Sequence, residues 1–532
     1  MRVQIPPRPP NRIDPMRLEA AVHRIRLGRN PRAAVIPSLA ELAPFDVAGT
    51  ETKVQVTLHT KVQDMIAEAG RYDADILIIG GGPAGYYGAI RAAQLGARTI
   101  CVEKGPLGGV CLNVGCIPTK ALLYCAETLD AIRHAGEFGI KVGEPKLDFM
   151  AMMARKDKIV SQLVSGIGGL FKKNKVTLIR GTAKLAGGNK VIVSADSGEQ
   201  TLTARNILIC TGAEPAVLRL PGFEIGENVW TSNEALEAKA IPKSLLVVGG
   251  GFIGLEFSYI YQRLGADVTV VELMPQILPA ADTEMANELE KILARKGIKI
   301  HTGSSVVFAE DIPNGKRVHF KTPEGDKALD VERVIVAVGR VPQSAGLGLE
   351  DLGVKTDRGK ILVNEHMQTN IPAIYAAGDV VGEPMLAHVA WAEGAVAVEH
   401  AMGRPSSIDY RAFPSGVYTW PELASVGMTE AQAKAKYRDI LVGRFTFAHN
   451  GKAMGLGETQ GLVKVISEPR YGEILGVHIL GPNATDLITE AVIAIANEAT
   501  IDELIGAIHP HPTLSEAVQE AAMDTRGEAI HK

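Results

Sequence analysis

The sequence is poor in the features that mark secreted, membrane-spanning or nucleic-acid-binding proteins. It has five cysteines in 532 residues, too few for the disulfide framework of a small secreted domain. It has no run of about 18 apolar residues, which predicts no transmembrane helix, and its N-terminus lacks an apolar signal core. The net charge of -4 gives no reason to expect nucleic acid or a membrane as a partner. These absences favour a cytoplasmic protein, in whose reducing surroundings a close cysteine pair serves catalysis or metal binding more often than structure.

The first 70 residues differ in composition from the rest of the chain. Residues 1–32 contain eight arginines and six prolines but no lysine, a composition that does not support a packed core. Serine, which transit peptides contain in abundance, first occurs at Ser38. We expect residues 1–70 to be a largely disordered N-terminal extension, either a basic tail or the product of a misassigned start site, and we assign it no function.

Two segments of the remaining sequence share one pattern. Each reads as an apolar strand, a glycine turn, a helix and a second apolar strand, which is a βαβ unit; they are ADILIIGGGPAGYYGAIRAAQLGARTICVEK and SLLVVGGGFIGLEFSYIYQRLGADVTVVE. Three glycines and the closing glutamate recur at a constant offset of 169 residues: Gly80, Gly82, Gly85 and Glu103 in the first segment, and Gly249, Gly251, Gly254 and Glu272 in the second. The repeat predicts two dinucleotide-binding folds in one chain.

The spacing G-x-G-x-x-G binds a pyrophosphate through the backbone. The first glycine allows a tight turn, the second lets the phosphates approach, and the third lets helix and strand pack closely. Glu103 and Glu272 are predicted to bind ribose hydroxyls. The segment LMPQIL after Glu272 has no arginine for a 2′-phosphate, which favours NAD over NADP. Two folds imply two dinucleotides, most simply a mobile nicotinamide and a tightly held flavin.

A close cysteine pair, Cys111 and Cys116, follows the first fold in the segment GGVCLNVGCIPTK. A zinc site needs further ligands, and no second cysteine or histidine pair lies nearby in the sequence. A structural disulfide across so short a loop constrains the unfolded chain little. A redox pair is favoured over both, since Lys120 and a predicted helix start are conditions that lower a thiol pKa. The other three cysteines are predicted to be inert core thiols: Cys101, Cys125 and Cys210.

The segment HPHPTLSEA offers a partner for proton transfer. Glu516 follows His511 by five residues and could orient and polarise its imidazole. Histidines beside prolines are also common in surface loops, so the residues alone leave both interpretations open.

From Tyr72 to its end, the chain resembles the dihydrolipoamide dehydrogenases, the flavoprotein disulfide reductases of the 2-oxoacid dehydrogenase complexes. The resemblance rests on GGVCLNVGCIPTK, with a conservative departure or two, and on YAAGDV, MLAH, ASVG and HPHPTLSEA in that order. It implies an α/β chain with two Rossmann-like FAD/NAD(P)-binding domains plus a C-terminal α+β dimerisation domain. The expected boundaries are 1–70 for the extension, 71–218 for the first part of the FAD-binding domain, 219–342 for the NAD-binding domain, 343–412 for the return to the FAD-binding and central region, and 413–532 for the dimerisation domain.

The resemblance also implies roles for single residues. Cys111 would exchange with a dithiol substrate and Cys116 would lie against the flavin, with Lys120 near the flavin and paired with Glu256. The FAD-binding set would be Gly80, Gly82, Pro83, Ala84, Gly85, Glu103, Lys104, Lys120, Ala183, Thr211, Gly212, Ala213, Asp379, Met385, Leu386, Ala387 and His388. The NAD-binding set would be Gly249, Gly251, Phe252, Ile253, Gly254, Glu256, Glu272, Val306 and Gly339. No metal is expected.

The implied activity is the oxidation of protein-bound dihydrolipoamide to lipoamide with reduction of NAD, by a ping-pong mechanism through a Cys111–Cys116 disulfide. His511 and Glu516 would act as the acid/base pair and reach into the active site of the partner subunit, so that a homodimer is required. The implied partners are lipoyl domains and the acyltransferase core of a 2-oxoacid dehydrogenase complex, or the lipoyl carrier of glycine cleavage. The sequence does not distinguish these complexes.

Other activities of the same fold fit less well. Mercuric reductase-like enzymes need a cysteine pair near the C-terminus, whereas the last cysteine here is Cys210. Glutathione reductase-like enzymes prefer NADP, which Glu272 disfavours. A related NAD(P)H-dependent reductase acting on another small disulfide stays as the alternative, and the retained thiols disfavour a non-catalytic scaffold. Two departures from the family are Trp420, where histidine is usual, and the extension, which has no lipoylation turn.

Overall fold

The computed structural model describes residues 72–532, and the prediction for residues 1–70 lies outside the described residues. In chain order the strands are β1 (Ala74–Ile79), β2 (Thr99–Glu103), β3 (Thr177–Arg180), β4 (Thr182–Leu185), β5 (Lys190–Ala195), β6 (Gly198–Ile209), β7 (Ala213–Pro215), β8 (Val229–Trp230), β9 (Ser244–Val248), β10 (Asp267–Val271), β11 (Lys299–His301), β12 (Ser305–Ile312), β13 (Gly315–Thr322), β14 (Gly325–Val331), β15 (Arg333–Val336), β16 (Arg340–Pro342), β17 (Thr356–Asp357), β18 (Lys360–Ile361), β19 (Ile374–Ala376), β20 (Pro414–Val417), β21 (Glu422–Gly427), β22 (Leu441–Thr446), β23 (Leu462–Ser467) and β24 (Ile474–Gly481).

Helices connect and cover these strands. The α-helices are α1 (Pro83–Gln94), α2 (Gly109–Val114), α3 (Cys116–Arg133), α4 (Phe149–Lys173), α5 (Ser232–Leu236), α6 (Phe252–Arg263), α7 (Thr283–Arg295), α8 (Ala387–Ala401), α9 (Glu430–Lys436), α10 (Gly451–Leu456), α11 (Ala484–Ala496), α12 (Ile501–Gly506) and α13 (Glu516–Asp524). Short 3-10 helices span Ala135–Phe138, Glu350–Leu352, Asp379–Val381, Tyr410–Ala412 and Phe447–His449.

The first nucleotide-binding sheet consists of five parallel strands in the order β3-β2-β1-β6-β19. Its central strand is buried on both faces, with Ile76 and Ile78 in one core and Leu77 and Ile79 in the other. A parallel sheet covered on both faces has continuous apolar strands rather than alternating ones, which explains the run ADILII. Strand β6 continues into an antiparallel meander with β5 and β4.

The second nucleotide-binding sheet repeats this plan. Its five parallel strands lie in the order β11-β10-β9-β15-β8, and an antiparallel meander, β12-β13-β14, accompanies them. The edge strand beside β15 is β8, which precedes the other strands of the second sheet in the chain. Its counterpart in the first sheet, β19, comes after the whole second fold. The second fold is thus inserted into the first, and the antiparallel pair β7-β16 lies where the chain leaves and returns. The predicted βαβ units and the fold class are confirmed.

The C-terminal sheet has five antiparallel strands in the order β20-β21-β24-β23-β22. Helices α11, α12 and α13 contribute to the core formed with this sheet. Trp420, in the loop before β21, is partly buried against the core that also contains the second nucleotide fold.

A buried ion cluster connects the second nucleotide fold to the C-terminal sheet. Lys464 of β23 is only 1 % exposed, and its ammonium group lies 2.8 Å from Asp282, 2.8 Å from Glu284 and 2.7 Å from Glu430. Asp282 also caps α7 by accepting from the Glu284 backbone N–H. A buried lysine needs carboxylates to compensate its charge, and α7 with its cap and α9 supply them here.

The segment Gly109–Arg133 departs from the prediction made from apolar runs, because by length and composition it could cross a membrane. It comprises two helices, α2 and α3, separated at Gly115, and α3 packs against α4 and α6. Core helices of globular proteins meet the same criterion.

Candidate active site

The two cysteines of the GGVCLNVGCIPTK segment lie on consecutive helices. Cys111 is in the middle of the short helix α2, and Cys116 is the first residue of α3, after the non-helical Gly115. Both are half-buried thiols. The N-terminus of a helix stabilises negative charge, so the backbone favours a thiolate at Cys116 over one at Cys111.

The two thiols are unequal because they share a hydrogen bond. Cys111 donates to Cys116, which lowers the pKa of Cys116 to about 7, and the charge of Lys120 acts in the same direction against burial. The same hydrogen bond, together with burial, raises the pKa of Cys111 well above its usual value. In the dithiol form, Cys116 therefore holds the negative charge and Cys111 holds the proton.

Lys120 lies one helical turn after Cys116 and forms an ion pair with Glu256 of α6. Its ammonium group is 2.7 Å from both carboxylate oxygens. Burial lowers the pKa of Lys120, but the charge and hydrogen bonds of Glu256 more than offset burial, so the pKa is raised and the lysine stays charged. The structure thus places a positive charge one helical turn from the Cys116 thiolate.

Tyr418 completes this ion pair and was not found by sequence reasoning. Its ring lies 4.3 Å from the Lys120 ammonium, and its backbone N–H donates to Glu256 at 3.2 Å. It comes from the start of the C-terminal region, about 160 residues beyond Glu256, so no local spacing in the sequence could identify it.

The first glycine turn has the shape that a dinucleotide requires. Gly80 has φ of +105°, and a Cβ there would lie 2.2 Å from the Cys210 carbonyl oxygen. A Cβ on Gly85 would lie 1.8 Å from the Gly80 carbonyl oxygen, so α1 packs directly on the turn. At Gly82 the space is open, since the nearest atom to a Cβ would be Gly109 Cα at 3.7 Å. Pro83 and Ala84 begin α1, whose first N–H groups face this space.

The second glycine turn repeats these contacts. Gly249 has φ of +109°, and a Cβ there would lie 2.4 Å from the Ala337 carbonyl oxygen, while a Cβ on Gly254 would lie 2.0 Å from the Gly249 carbonyl oxygen. A Cβ on Gly251 would meet nothing within 4 Å. Helix α6 begins immediately afterwards with Phe252, Ile253 and Gly254. Both turns therefore leave room for phosphate groups at a helix N-terminus and fit the expected dinucleotides.

The two strand-end glutamates have a structural task that sequence reasoning did not foresee. Glu103 accepts from the backbone N–H groups of Gly81 at 2.5 Å and Gly105 at 2.6 Å. Glu272 accepts in the same way from Gly250 and from Met274, the latter at 2.7 Å. Glu103 thus joins the first glycine turn to the loop after β2, and Glu272 joins the second glycine turn to the loop after β10. A carboxylate oxygen accepts more than one hydrogen bond, so both keep capacity for ribose hydroxyls.

Most of the remaining residues of the predicted FAD-binding set lie at the carboxyl edge of the first sheet. Lys104 follows β2, Ala183 lies on β4 just beyond β3, Thr211, Gly212 and Ala213 follow β6, and Asp379 follows β19. Met385, Leu386, Ala387 and His388 lie at the start of α8, where His388 Nε2 is 2.7 Å from the Pro414 carbonyl oxygen. Ligands of open α/β sheets bind at this edge, so the placement suits one extended molecule.

The predicted NAD-binding residues have the same relation to the second sheet. Glu272 follows β10, Val306 lies on β12 just beyond β11, and Gly339 follows β15. The Ser304 backbone N–H donates to the Glu272 carbonyl oxygen at 2.8 Å, which holds the loop before β12 beside the end of β10.

Arg340 is a second residue that the sequence did not reveal. It donates to the Ala213 carbonyl oxygen at 2.5 Å, and its guanidinium lies 3.8 Å from Asp379. Burial raises the pKa of Asp379, and the charge of Arg340 partly offsets this effect. Arg340 follows a strand of the second fold, so only the folded chain places it beside the first site.

His511 and Glu516 form the predicted pair. His511 Nδ1 is 2.8 Å from Glu516, whose other oxygen accepts from the Thr513 backbone N–H at 2.7 Å. Burial raises the pKa of Glu516, but these two hydrogen bonds more than offset burial and the pKa is lowered. The His511 side chain is 80 % exposed, and no hydrogen bond or ion pair within residues 72–532 joins it to Cys111 or Cys116.

A neighbouring histidine has a carboxylate partner as well. His509 is almost fully buried, with Nε2 2.7 Å from Glu490 of α11. These two residues are 19 positions apart, so no short spacing in the sequence could predict the pair. The two histidine side chains of HPHPT therefore differ in exposure, with 6 % exposed at His509 and 80 % at His511.

The other cysteines are not alike. Cys101 and Cys210 are buried, and burial raises the pKa of both thiols, as expected for inert core residues. Cys125 of α3 is half-buried and packs against the core of the second nucleotide fold, and its sulfur lies 3.7 Å from the Arg155 guanidinium. In the part of the chain that the structure describes, no three histidine, cysteine or acidic side chains are grouped as metal ligands.

Comparison with known proteins identifies the family. Residues 74–394 match the model of the pyridine nucleotide-disulphide oxidoreductases, and residues 413–522 match the dimerisation domain of the same family. A dihydrolipoyl dehydrogenase from Thermus scotoductus is 46 % identical over 461 residues, which cover 86 % of this chain and 98 % of that protein. One from Rhizobium etli is 46 % identical over 477 residues, covering 86 % and 99 %.

A solved structure has the same fold. The crystal structure of LpdA from Mycobacterium tuberculosis superposes with a TM-score of 0.79 at 28 % identity, covering 84 % of this chain and 98 % of that one. The resemblance inferred from the motifs is confirmed. The chain belongs to the dihydrolipoyl dehydrogenase group of the pyridine nucleotide-disulphide oxidoreductase family.

Proposed function

We propose that the protein is a homodimeric flavoprotein that oxidises protein-bound dihydrolipoamide to lipoamide and reduces NAD. The observation that carries this proposal is the unequal thiol pair. A thiolate is favoured at Cys116, the first residue of α3, one helical turn before the charged Lys120. The pair stands beside a glycine turn with room for a dinucleotide, and a second such turn follows in the chain.

We assign each thiol a part in disulfide exchange. A dihydrolipoyl thiolate attacks Cys111 of the Cys111–Cys116 disulfide, a mixed disulfide forms, and Cys116 leaves as the thiolate. A thiol of low pKa is the better leaving group, and the helix start and Lys120 stabilise the charge at Cys116. The second substrate thiol then attacks the mixed disulfide, which releases lipoamide and Cys111. FAD held at the Gly80–Gly85 turn would supply the two-electron acceptor that restores the disulfide, and NAD held at the Gly249–Gly254 turn would supply the final hydride acceptor.

His511 is the proposed proton acceptor for the substrate thiols. Glu516 binds Nδ1, which keeps Nε2 free as the base. Because His511 is exposed and has no hydrogen bond or ion pair to Cys111 or Cys116 of its own chain, we propose that His511 of the partner subunit completes each active site. The dimerisation domain that carries it supports this arrangement.

We infer the partners and the location from the same chemistry. A substrate carried on a lipoyl domain implies the acyltransferase core of a 2-oxoacid dehydrogenase complex or the lipoyl carrier of glycine cleavage. We infer a cytoplasmic location, which is supported by the small number of cysteines and by a site that works through free thiols.

The deciding experiment compares substrates on the purified protein. We expect a bound flavin and NAD-dependent oxidation of dihydrolipoamide, with little activity towards NADP, glutathione or a quinone. Cys111→Ser should abolish turnover with the flavin retained, whereas Cys125→Ser, on the same helical segment but outside the pair, should leave turnover unchanged. Preference for glutathione or a quinone, or full turnover by Cys111→Ser, would contradict the proposal.

A further inference from the structure

A carboxylate that the proposed mechanism does not use is buried beside the predicted flavin-binding turn. Glu393 of α8 is 2 % exposed. One oxygen accepts from the Gly378 backbone N–H at 2.6 Å, and the other accepts from the Tyr410 hydroxyl at 2.7 Å. Burial raises the pKa of Glu393 to about 7, although both hydrogen bonds act in the opposite direction. Burying an acid is costly, so its retention here calls for a reason.

Glu393 binds the backbone N–H of Gly378, the residue before Asp379 of the predicted FAD-binding set. Gly378 follows β19 with φ of +79°, and the next residue is Asp379, which begins a 3-10 helix and faces Arg340. The Gly378 N–H has no place in the strand ladder, since the ladder ends with the Ala377 N–H donating to Ile209. Without Glu393 this buried donor would lack a partner.

The surroundings give this hydrogen bond little freedom. A Cβ on Gly378 would lie 3.2 Å from Ala84 Cβ and 3.5 Å from Ala390 Cβ, so the turn is packed between α1 and α8. A Cβ on Gly394 would lie 2.3 Å from the Ala84 carbonyl oxygen, which brings α8 directly against the first turn of α1. The same carboxylate therefore stands where α8, the glycine-turn helix and the Asp379 turn meet.

Tyr410 fixes the carboxylate from the other side. It lies in the 3-10 helix before β20, and its ring meets Phe413 edge-on at 6.4 Å. With the hydroxyl bound to one oxygen and the Gly378 N–H to the other, the carboxylate plane has one orientation. The link joins the turn to the segment that enters the C-terminal sheet.

We propose that Glu393 is a positioning residue for the flavin, holding the Gly378–Asp379 turn in its binding geometry with Tyr410 as its support. This inference rests on the proposed function in one respect, that the first fold binds FAD. Glu393 touches neither thiol in the proposed reaction, so its effect is on retention of the flavin.

The rate of FAD release tests this role. It is measured by diluting the holoenzyme and recording the fluorescence of the freed flavin. Glu393→Ala leaves the Gly378 N–H unpaired, and we expect release roughly tenfold faster. Glu393→Gln keeps an acceptor for this N–H and should restore the rate to within about threefold of wild type. Rescue by glutamine separates positioning through a hydrogen bond from a general loss of packing.

Glu399 provides the matched control on the same helix. It also joins α8 to α1, through Arg91 at 2.8 Å, but it lies six residues beyond Glu393 on the helix. Glu399→Ala should change flavin release by no more than about twofold, as is usual for a partly exposed ion pair. Acceleration by Glu399→Ala equal to that by Glu393→Ala would overturn the proposal, and so would wild-type release from Glu393→Ala.

Tyr410→Phe decides the question if Glu393→Ala does not fold. It removes one hydroxyl and keeps the ring, and we expect release about threefold faster; an unchanged rate would count against the role of Glu393. A wild-type protein without flavin would instead refute the proposed function, so the two failures are distinguishable.

Discussion

At the scale of single residues, the position of each cysteine on the backbone determines its chemistry. Cys116 stands at the first position of an 18-residue helix and Cys111 inside a six-residue one. The helix start, the Cys111 thiol and Lys120 all favour a thiolate at Cys116, and only burial and Glu256 oppose it. The hydrogen bond from Cys111 is the largest of these causes, and the helix start adds to it.

This argument predicts how the reduced protein titrates. The pKa of Cys116 is lowered to about 7, so the thiolate forms as the pH rises through 7 and takes up a proton as the pH falls below it. Cys111→Ala removes the hydrogen-bond donor, which is the largest cause, and should raise the pKa of Cys116 towards the ordinary thiol value of about 8.5. The ultraviolet absorbance of the thiolate measures both. Cys125→Ala is the control, and an unchanged pKa in Cys111→Ala would refute the assigned cause.

The sequence allowed prediction of residues that act through local spacing. Cys111, Cys116 and Lys120 lie within ten positions of one another, and His511 precedes Glu516 by five. Tyr418, Arg340 and Glu393 could not be predicted, because their partners are distant in the chain and ordinary side chains carry no motif. Burial decides the chemistry of these three, and burial is a property of the fold.

At the scale of elements, the duplicated βαβ unit was predictable because each glycine meets a local steric requirement of its turn. The order of strands was not, since it depends on which edge of the sheet the chain returns to. The nesting of one fold in the other rests on β8 and β19, strands of two and three residues that have no pattern of their own.

The two glycine turns allow a matched pair of substitutions. A Cβ at Gly85 would lie 1.8 Å from a backbone oxygen and one at Gly254 would lie 2.0 Å from its counterpart, so alanine must push each helix from its turn. Gly85→Ala should lower flavin content. Gly254→Ala should keep the flavin and raise the KM for NAD by roughly tenfold or more, the usual effect of overpacking. Flavin absorbance and steady-state kinetics measure these effects, and loss of flavin in Gly254→Ala with none in Gly85→Ala would reverse the assignment of the folds.

At the scale of the whole molecule, one chain contains all the proposed catalytic groups without bringing them together. The thiol pair, Lys120 and Glu256 are joined by direct contacts. His511 and Glu516 form a separate pair that is open to solvent in the described chain. This second pair lies within the residues that match the family's dimerisation domain, and under the proposed function dimer formation would complete each active site.

Mixed dimers test whether the histidine acts across the interface. Cys111→Ser and His511→Gln homodimers should both be inactive. When the two variants are dissociated together and reassembled, each mixed dimer should contain one site with an intact thiol pair and an intact histidine from the other chain. Random pairing makes half of the dimers mixed, so about one quarter of wild-type turnover should return. If His511 serves the thiols of its own chain, no mixed dimer has a complete site and activity stays absent, because each chain carries one damaged group.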